Sequence, residues 1–150
     1  MLRLLRRTPR ATLTNTALYN EQSFYNAFVR DVRRAQSTVV IESPFLTEKR
    51  ALYFARLFNK LARKGVKVRV NTCNPRHRKL AIIDQQILWE GSLNILSQVL
   101  SKEIMRRTNS VELACQMASF TKIHNRFWWY TKDQLWMATT KLTKTTSKRL

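Results

Sequence analysis

The sequence predicts an α/β fold in which a mixed β-sheet is flanked by helices. Segments with apolar residues at helical spacing alternate along the chain with short segments rich in β-branched residues, which is the pattern of α/β proteins. Hydrophobic residues make up 44% of the 150 residues, so one packed core is feasible and two separate domains would be tight.

The first helix and the first strand are predicted within residues 21–41. Between Glu21 and Gln36, apolar residues recur every three or four positions, as on one face of a helix. They are Phe24, Phe28, Val32 and Ala35. Residues 37–41 then predict a buried strand, which Pro44 ends because proline cannot donate a hydrogen bond to a neighbouring strand.

A second helix and two further strands follow. Thr47 is placed to cap a helix whose apolar stripe extends over residues 51–62, and Gly65 is a helix stop signal. In residues 66–70 valine alternates with polar, mostly basic residues, which predicts a strand with one wet face. The continuous apolar run 80–83 is typical of an interior strand, buried on both faces.

A short strand over residues 87–89 and a last helix complete the predicted elements. Asn109 or Ser110 is placed to cap that helix. Its predicted apolar face consists of Leu113, Met117, Phe120 and His124. Beyond Thr131 the chain holds mainly threonine and lysine with little periodicity, which predicts a frayed basic tail.

The composition narrows the classes of function. The chain carries 28 basic and nine acidic residues, a formal charge of +19, which indicates an acidic partner: nucleic acid first, an anionic membrane surface second. No apolar run approaches the roughly 20 residues of a membrane-spanning helix. Two cysteines and two histidines cannot make a disulfide framework, or a zinc site without carboxylates. With Gly65 and Gly91 as the only glycines, Walker A and GxGxxG loops are excluded.

The segment 77–103 carries the candidate chemistry, with the spacing H-x-K-x4-D-x6-G-S-x-N and an acid further on. Its residues are His77, Lys79, Asp84, Gly91, Ser92, Asn94 and Glu103. On a strand, His77 and Lys79 would point to one face, as would Ser92 and Asn94, so that Lys79 and Asn94 would form an oxyanion cradle. An imidazole beside an ammonium suits a phosphodiester, because the ring can attack phosphorus or carry a proton and the ammonium neutralises phosphate oxygens.

This spacing resembles the HKD motif of the phospholipase D superfamily, and the resemblance covers roughly residues 21–130. The small nuclease-like or helicase-associated branch is the most similar. The resemblance implies an α/β/α sandwich and a reaction that needs no metal and no cofactor. It implies that His77 attacks phosphorus and forms a covalent phosphohistidine, and that Glu103 orients a ring nitrogen of His77.

The resemblance also implies roles for the other motif positions and a partner. Lys79, Ser92 and Asn94 would hold phosphate oxygens, and Asp84 would support the loop. The family uses two such histidines, whereas this chain has one motif and its other histidine, His124, lacks Lys and Asp partners. We therefore expect a homodimer in which two copies of His77 meet at the two-fold axis. The helicase-associated branch adds a helicase as a candidate partner.

One departure from the family concerns the segment before the motif. Relatives place a further helix and strand there, but here only residues 71–76 intervene. Six residues can close an antiparallel connection but not a parallel crossover, so the sheet has lost an element or changed its order. The shortened segment also puts activity in doubt.

The sequence leaves the roles of some other residues less sharply defined. Arg106 and Arg107 are candidate substrate-binding residues, or a solvated face. The aromatic cluster at residues 128–130 predicts a core or dimer contact rather than a base-stacking platform. His124 is expected on a helix face, and Cys115 is expected in the core.

The predicted organisation is a basic arm over residues 1–20, a phosphodiesterase domain over 21–130 and a basic tail over 131–150. A cytoplasmic location is favoured, although the arginine-rich, acid-free start also fits a mitochondrial address. The predicted function is a metal-independent phosphodiesterase, an endonuclease of low sequence specificity acting on DNA or RNA. The alternatives are a nucleic-acid-binding module with a weakened site and, ranked last, a phospholipase D acting on lipid head groups at a membrane.

Overall fold

The computed structural model describes residues 15–72, 77–97 and 101–123. The elements in chain order are β1 (Asn15–Asn20), α1 (Phe24–Arg34), β2 (Thr38–Glu42), α2 (Glu48–Arg63), β3 (Lys67–Asn71), β4 (Leu80–Ile83), β5 (Ile87–Gly91), β6 (Ile104–Asn109) and α3 (Val111–Thr121). They form an α/β fold around one mixed six-stranded sheet, as the sequence predicts.

The strand order in the sheet is β1-β6-β5-β4-β2-β3. Only β2 and β3 are parallel, and the other four neighbouring pairs are antiparallel. β3 at the edge and β4 therefore lie on either side of β2 and run in opposite directions. The opposite directions of β3 and β4 agree with the expectation that a segment as short as 71–76 can join only antiparallel strands.

The central strand β4 separates two hydrophobic cores. Ala81 and Ile83 belong to the larger core with α1 and α2, and Leu80 and Ile82 belong to the smaller core with α3. Alternate residues of β4 thus serve opposite layers, and all four are buried. The prediction of a strand buried on both faces is confirmed, and the arrangement of two helices against one is an α/β/α sandwich.

A buried ionic cluster fastens α1 to the sheet. The carboxylate of Asp31 accepts hydrogen bonds from Nε1 of Trp89 at 3.0 Å and from Nε of Arg107 at 2.6 Å. Asp31 is 5% exposed and Trp89 is fully buried. Hydrogen bonding to Asp31 raises the pKa of Arg107, so the guanidinium keeps its charge throughout the ordinary pH range.

The structure corrects the predicted arm boundary and adds two strands. Residues 15–20, predicted as part of the basic arm, form the edge strand β1, which pairs antiparallel with β6. No strand was predicted over 104–109. The remaining domain divisions stay predictions, because residues 1–14 and 124–150, with the aromatic cluster 128–130, lie outside the described residues.

The structure also changes the packing face of α3. Ser110 caps this helix by accepting a hydrogen bond from the backbone N–H of Leu113, as predicted. The buried face, however, consists of Ala114, Ala118 and Thr121, while Phe120 is 77% exposed. Small residues face the sheet because they let the helix lie close to it. In this orientation of the helix Cys115 is exposed, so the prediction that it lies in the core is wrong.

Candidate active site

The amino end of β4 and the carboxyl end of β5 meet at an open groove of about 640 Å³. The strands pair antiparallel with Leu80 opposite Glu90, so the residues before β4 lie beside those after β5. The lining comprises His77, Arg78, Lys79, Leu80, Glu90, Gly91 and Ser92, with Leu18, Ile104, Arg106 and Met117 around them. The groove opens on the same face of the sheet as α3, beyond the part that α3 covers.

His77 and Lys79 reach the groove from irregular backbone rather than from a strand. Strand β4 begins at Leu80, and His77 has a φ of 46°, in the left-handed region. The prediction that the two side chains share a face of a strand is therefore wrong, because neither residue lies in a strand. The two residues are still close: Nζ of Lys79 donates to the carbonyl of His77 at 3.4 Å, and both residues line the groove.

Arg78, between them, anchors this segment. Its Nε donates to the carboxylate of Glu42 at 2.6 Å, and its guanidinium also donates to the carbonyl of Thr121 at the end of α3. The Glu42 side chain is 5% exposed, and it also accepts a hydrogen bond from Asn71. The ion pair thus holds the residue between His77 and Lys79 against β2, β3 and α3. The motif spacing gave no signal for this role of Arg78.

Gly91 and Ser92 form the opposite wall, held against β6. A Cβ atom on Gly91 would lie 2.2 Å from the carbonyl oxygen of Ile104, so only glycine fits there. The Ser92 hydroxyl accepts a hydrogen bond from the backbone N–H of Ile104 at 3.1 Å. The glycine of the motif thus lets two backbones approach and brings Ser92 to the groove.

Glu103 joins the same cluster from the start of β6. Its carboxylate accepts a hydrogen bond from the Ser101 hydroxyl at 2.8 Å. Hydrogen bonds from Ser92 and Ser101, with the charge of Lys79, lower the pKa of Glu103. The carboxylate is therefore ionised at neutral pH and adds a negative charge beside Lys79. The structure shows no contact between Glu103 and the His77 ring, so that predicted role stays a prediction.

Asp84 lies in the turn that follows β4, at the opposite end of this strand from His77. It accepts hydrogen bonds from the backbone N–H groups of Gln36, Ser37 and Thr38 at 2.7–2.9 Å. Partial burial raises its pKa, but these bonds more than offset that effect, so the pKa lies below its usual value. Asp84 supports the loop between α1 and β2, which agrees with the predicted supporting role and places it outside the groove.

Asn94 is not among the residues that line the groove. Strand β5 ends at Gly91 and the chain bends at Ser92, so the two-residue alternation of a strand no longer applies to Asn94. Its Oδ1 is buried and has no hydrogen-bond partner among the described residues. The cradle of Lys79 and Asn94 therefore stays a prediction, with Lys79 in the groove lining and Asn94 outside it.

The two arginines of β6 separate. Arg106 lines the groove and is paired with Glu90 at 2.5 Å. Arg107 points to the opposite face and is bound to Asp31, so the prediction of Arg107 as a substrate-binding residue is wrong. The alternation of a strand explains the split, because neighbouring residues face opposite sides. In the part of the chain that the structure describes, no group of His, Cys, Asp and Glu could hold a metal ion, and no helix has the length and apolarity to cross a membrane.

Comparisons with known proteins place this fold. No family model and no curated protein matches the sequence. Among solved structures, NucT from Helicobacter pylori matches 71% of this chain and 92% of its own, with a TM-score of 0.58 and 18% identity. Nuc from Salmonella typhimurium, a phospholipase D family member, matches 77% and 98%, with a TM-score of 0.55 and 14% identity.

A third similar structure is TrmBL2, an archaeal chromatin protein with a novel mode of DNA binding. It matches 73% of this chain and 51% of its own, with a TM-score of 0.54 and 9% identity. The chain therefore has the phospholipase D-like α/β fold, the fold implied by the spacing of its motif. Nuc and NucT are matched over nearly their whole length, so the shortened segment before His77 has not removed the frame of the fold.

Proposed function

We propose that this protein is a metal-independent phosphodiesterase that cleaves nucleic acid, an endonuclease of low sequence specificity. The observation that carries the proposal is the meeting of His77, Lys79 and Ser92 at one open groove, with the Glu103 carboxylate beside them. Support at the level of the superfamily comes from the fold shared with Nuc and NucT. The formal charge of +19 favours a polyanionic substrate.

The proposed reaction has two steps. A ring nitrogen of His77 attacks phosphorus, the bond from phosphorus to the leaving oxygen breaks, and that oxygen takes a proton. Water then attacks the phosphohistidine, which returns the ring to its first state and releases the phosphate-bearing strand. Lys79 neutralises the non-bridging oxygens as the phosphorus becomes five-coordinate. When the substrate is bound, the Ser92 hydroxyl exchanges its hydrogen bond to Glu103 for one to a non-bridging oxygen.

The proton for the leaving oxygen needs a second acid. Glu103 is ionised and carries none at neutral pH. His77 is exposed, in a groove that is open on one side. We infer that His77 of the partner subunit supplies this proton in a homodimer with two-fold symmetry, and that it takes a proton back from the attacking water in the second step. Association with a helicase remains a separate prediction.

The test is hydrolysis of single-stranded DNA, double-stranded DNA and RNA by the purified full chain, with and without EDTA. We expect cleavage at the same rate in both conditions, because the described part of the groove offers no metal site and the charge is supplied by Lys79. Cleavage that vanishes with EDTA and returns with magnesium would contradict the proposed mechanism.

A second candidate function is a nucleic-acid-binding module without turnover. The specific observation in its favour is the fold shared with TrmBL2, a chromatin protein, together with the absence of Asn94 from the groove. Tight, salt-sensitive binding to DNA or RNA, with no hydrolysis of these or of a generic bis-aryl phosphodiester, would favour this module.

A further inference from the structure

A second cleft, of about 530 Å³, lies between α1 and the start of α2. Its lining includes Arg30, Arg33 and Arg34 from α1 and Arg50 and Tyr53 from α2. Both helices pack on the face of the sheet that carries Ala81 and Ile83, opposite the face on which the His77 groove opens. The cleft is therefore separate from the candidate active site.

The three arginines of α1 form a concentrated positive charge. Arg33 and Arg34 follow Arg30 by three and four residues, which places all three on one side of the helix, and all three are exposed. Within the described residues, none of their side chains makes an ion pair or hydrogen bond. The one acid of α1, Asp31, is buried against Arg107 on the other side of the helix. Like charges at this spacing destabilise a helix, and a bound anion would relieve the repulsion.

Aromatic side chains lie next to this charge. Tyr53 is 43% exposed and packs against Phe54, with ring centroids 5.3 Å apart and planes at 88°. The guanidinium of Arg50 lies 3.5 Å from the centroid of the Tyr25 ring. One cleft thus offers cations for phosphates and an accessible, supported ring on which a base can stack. That combination is typical of binding sites for single-stranded nucleic acid.

We propose that this α1–α2 cleft binds single-stranded nucleic acid, with Arg30, Arg33 and Arg34 on successive phosphates and a base stacked on Tyr53. The site would hold a strand independently of catalysis, so its occupancy does not depend on the proposed reaction at His77. An anionic membrane would use the same arginines, but it would gain nothing from stacking on Tyr53. The contribution of the Tyr53 ring to binding therefore distinguishes nucleic acid from a membrane as the ligand.

The test measures binding of a short labelled oligothymidylate by fluorescence anisotropy over a range of salt concentrations. All proteins carry His77→Ala, so the probe survives whether or not the wild type is a nuclease. The triple variant Arg30→Ala/Arg33→Ala/Arg34→Ala should reduce the slope of log affinity against log salt by about 2, since each phosphate contact on a single strand contributes about 0.7. Tyr53→Ala should weaken binding about tenfold, whereas Tyr53→Phe should keep it.

The matched control is Lys60→Ala/Arg63→Ala/Lys64→Ala, which removes the same charge from the exposed end of α2 outside the cleft. It should change the slope much less than the α1 triple variant. Equal effects of the two triple variants would overturn the proposal, because binding would then follow net charge alone. The proposal would also be overturned if Tyr53→Ala bound the oligothymidylate as tightly as the His77→Ala parent does. It would be overturned as well if the α1 triple variant lost binding to phosphatidylserine vesicles but kept its binding to the oligothymidylate. Thermal unfolding checks that each variant is folded.

Discussion

The His77→Ala protein is expected to cleave DNA at least about a thousandfold more slowly than the wild type, because the variant lacks the attacking group of the first step. His77 is exposed and precedes β4, so the change should leave thermal stability close to that of the wild type. Initial rates on a fluorogenic oligonucleotide measure the effect. Lys102→Ala removes an exposed cation next to Glu103 but outside the groove lining, and it should cleave at nearly the wild-type rate.

The same variant tests the homodimer. If both copies of His77 act on one phosphorus, mixed dimers of wild type and His77→Ala are inactive. Random exchange of equal amounts leaves about a quarter of the dimers wild type in both subunits, so activity per total protein should fall to about a quarter. A fall to one half would show that each subunit works alone and would contradict the shared site.

The Asp31→Ala protein is expected to lose about 3–5 kcal/mol of unfolding free energy, the second large effect. The change leaves the Arg107 charge uncompensated beside the core and the Trp89 N–H without its acceptor. Urea unfolding followed by tryptophan fluorescence and circular dichroism measures the loss. Arg107→Met in the Asp31→Ala background should restore part of the stability, because it removes the orphaned charge.

Glu90→Gln provides the matched control for this cluster. Glu90 pairs with Arg106 on the same strands as Trp89 and Arg107, but the Arg106 side chain is 54% exposed. Such an exposed pair contributes about 0–1 kcal/mol, so Glu90→Gln should unfold close to the wild type. If Asp31→Ala were no more destabilising than Glu90→Gln, the conclusion that the Asp31 cluster holds α1 against the sheet would be wrong.

The predictable part of the fold is the part in which side-chain periodicity and burial agree. The run at 80–83 predicted a strand buried on both faces, and Gly65 ends α2 with the positive φ that its position requires. β1 and β6 were not predicted, because neither shows a clean alternation of apolar and polar residues. β1 is an edge strand whose residues are mostly exposed, and β6 contains Arg106 and Arg107. Their pairing is a long-range feature, since β1 and β6 are far apart in sequence.

The candidate site shows the same division. The motif spacing brought His77, Lys79 and Ser92 to one groove, but the assumption of strand geometry failed at its edges. His77 precedes β4 with a left-handed backbone, and Asn94 follows a bend after β5. Arg106 and Arg107 could not be separated without knowing that they lie in a strand. The sequence therefore predicted which residues come together at the groove. It did not predict the backbone conformation from which each side chain reaches it.

The most direct test of the proposed reaction at His77 is to trap the covalent intermediate. Wild-type protein is mixed with excess end-labelled oligonucleotide, quenched within the first turnovers under alkaline denaturing conditions, and digested for mass spectrometry. We expect a phosphorylated or nucleotidylated peptide modified on His77, and none in the His77→Ala protein. Turnover by the wild type with no adduct on His77 at any quench time, or the same labelling in His77→Ala, would contradict the proposed reaction.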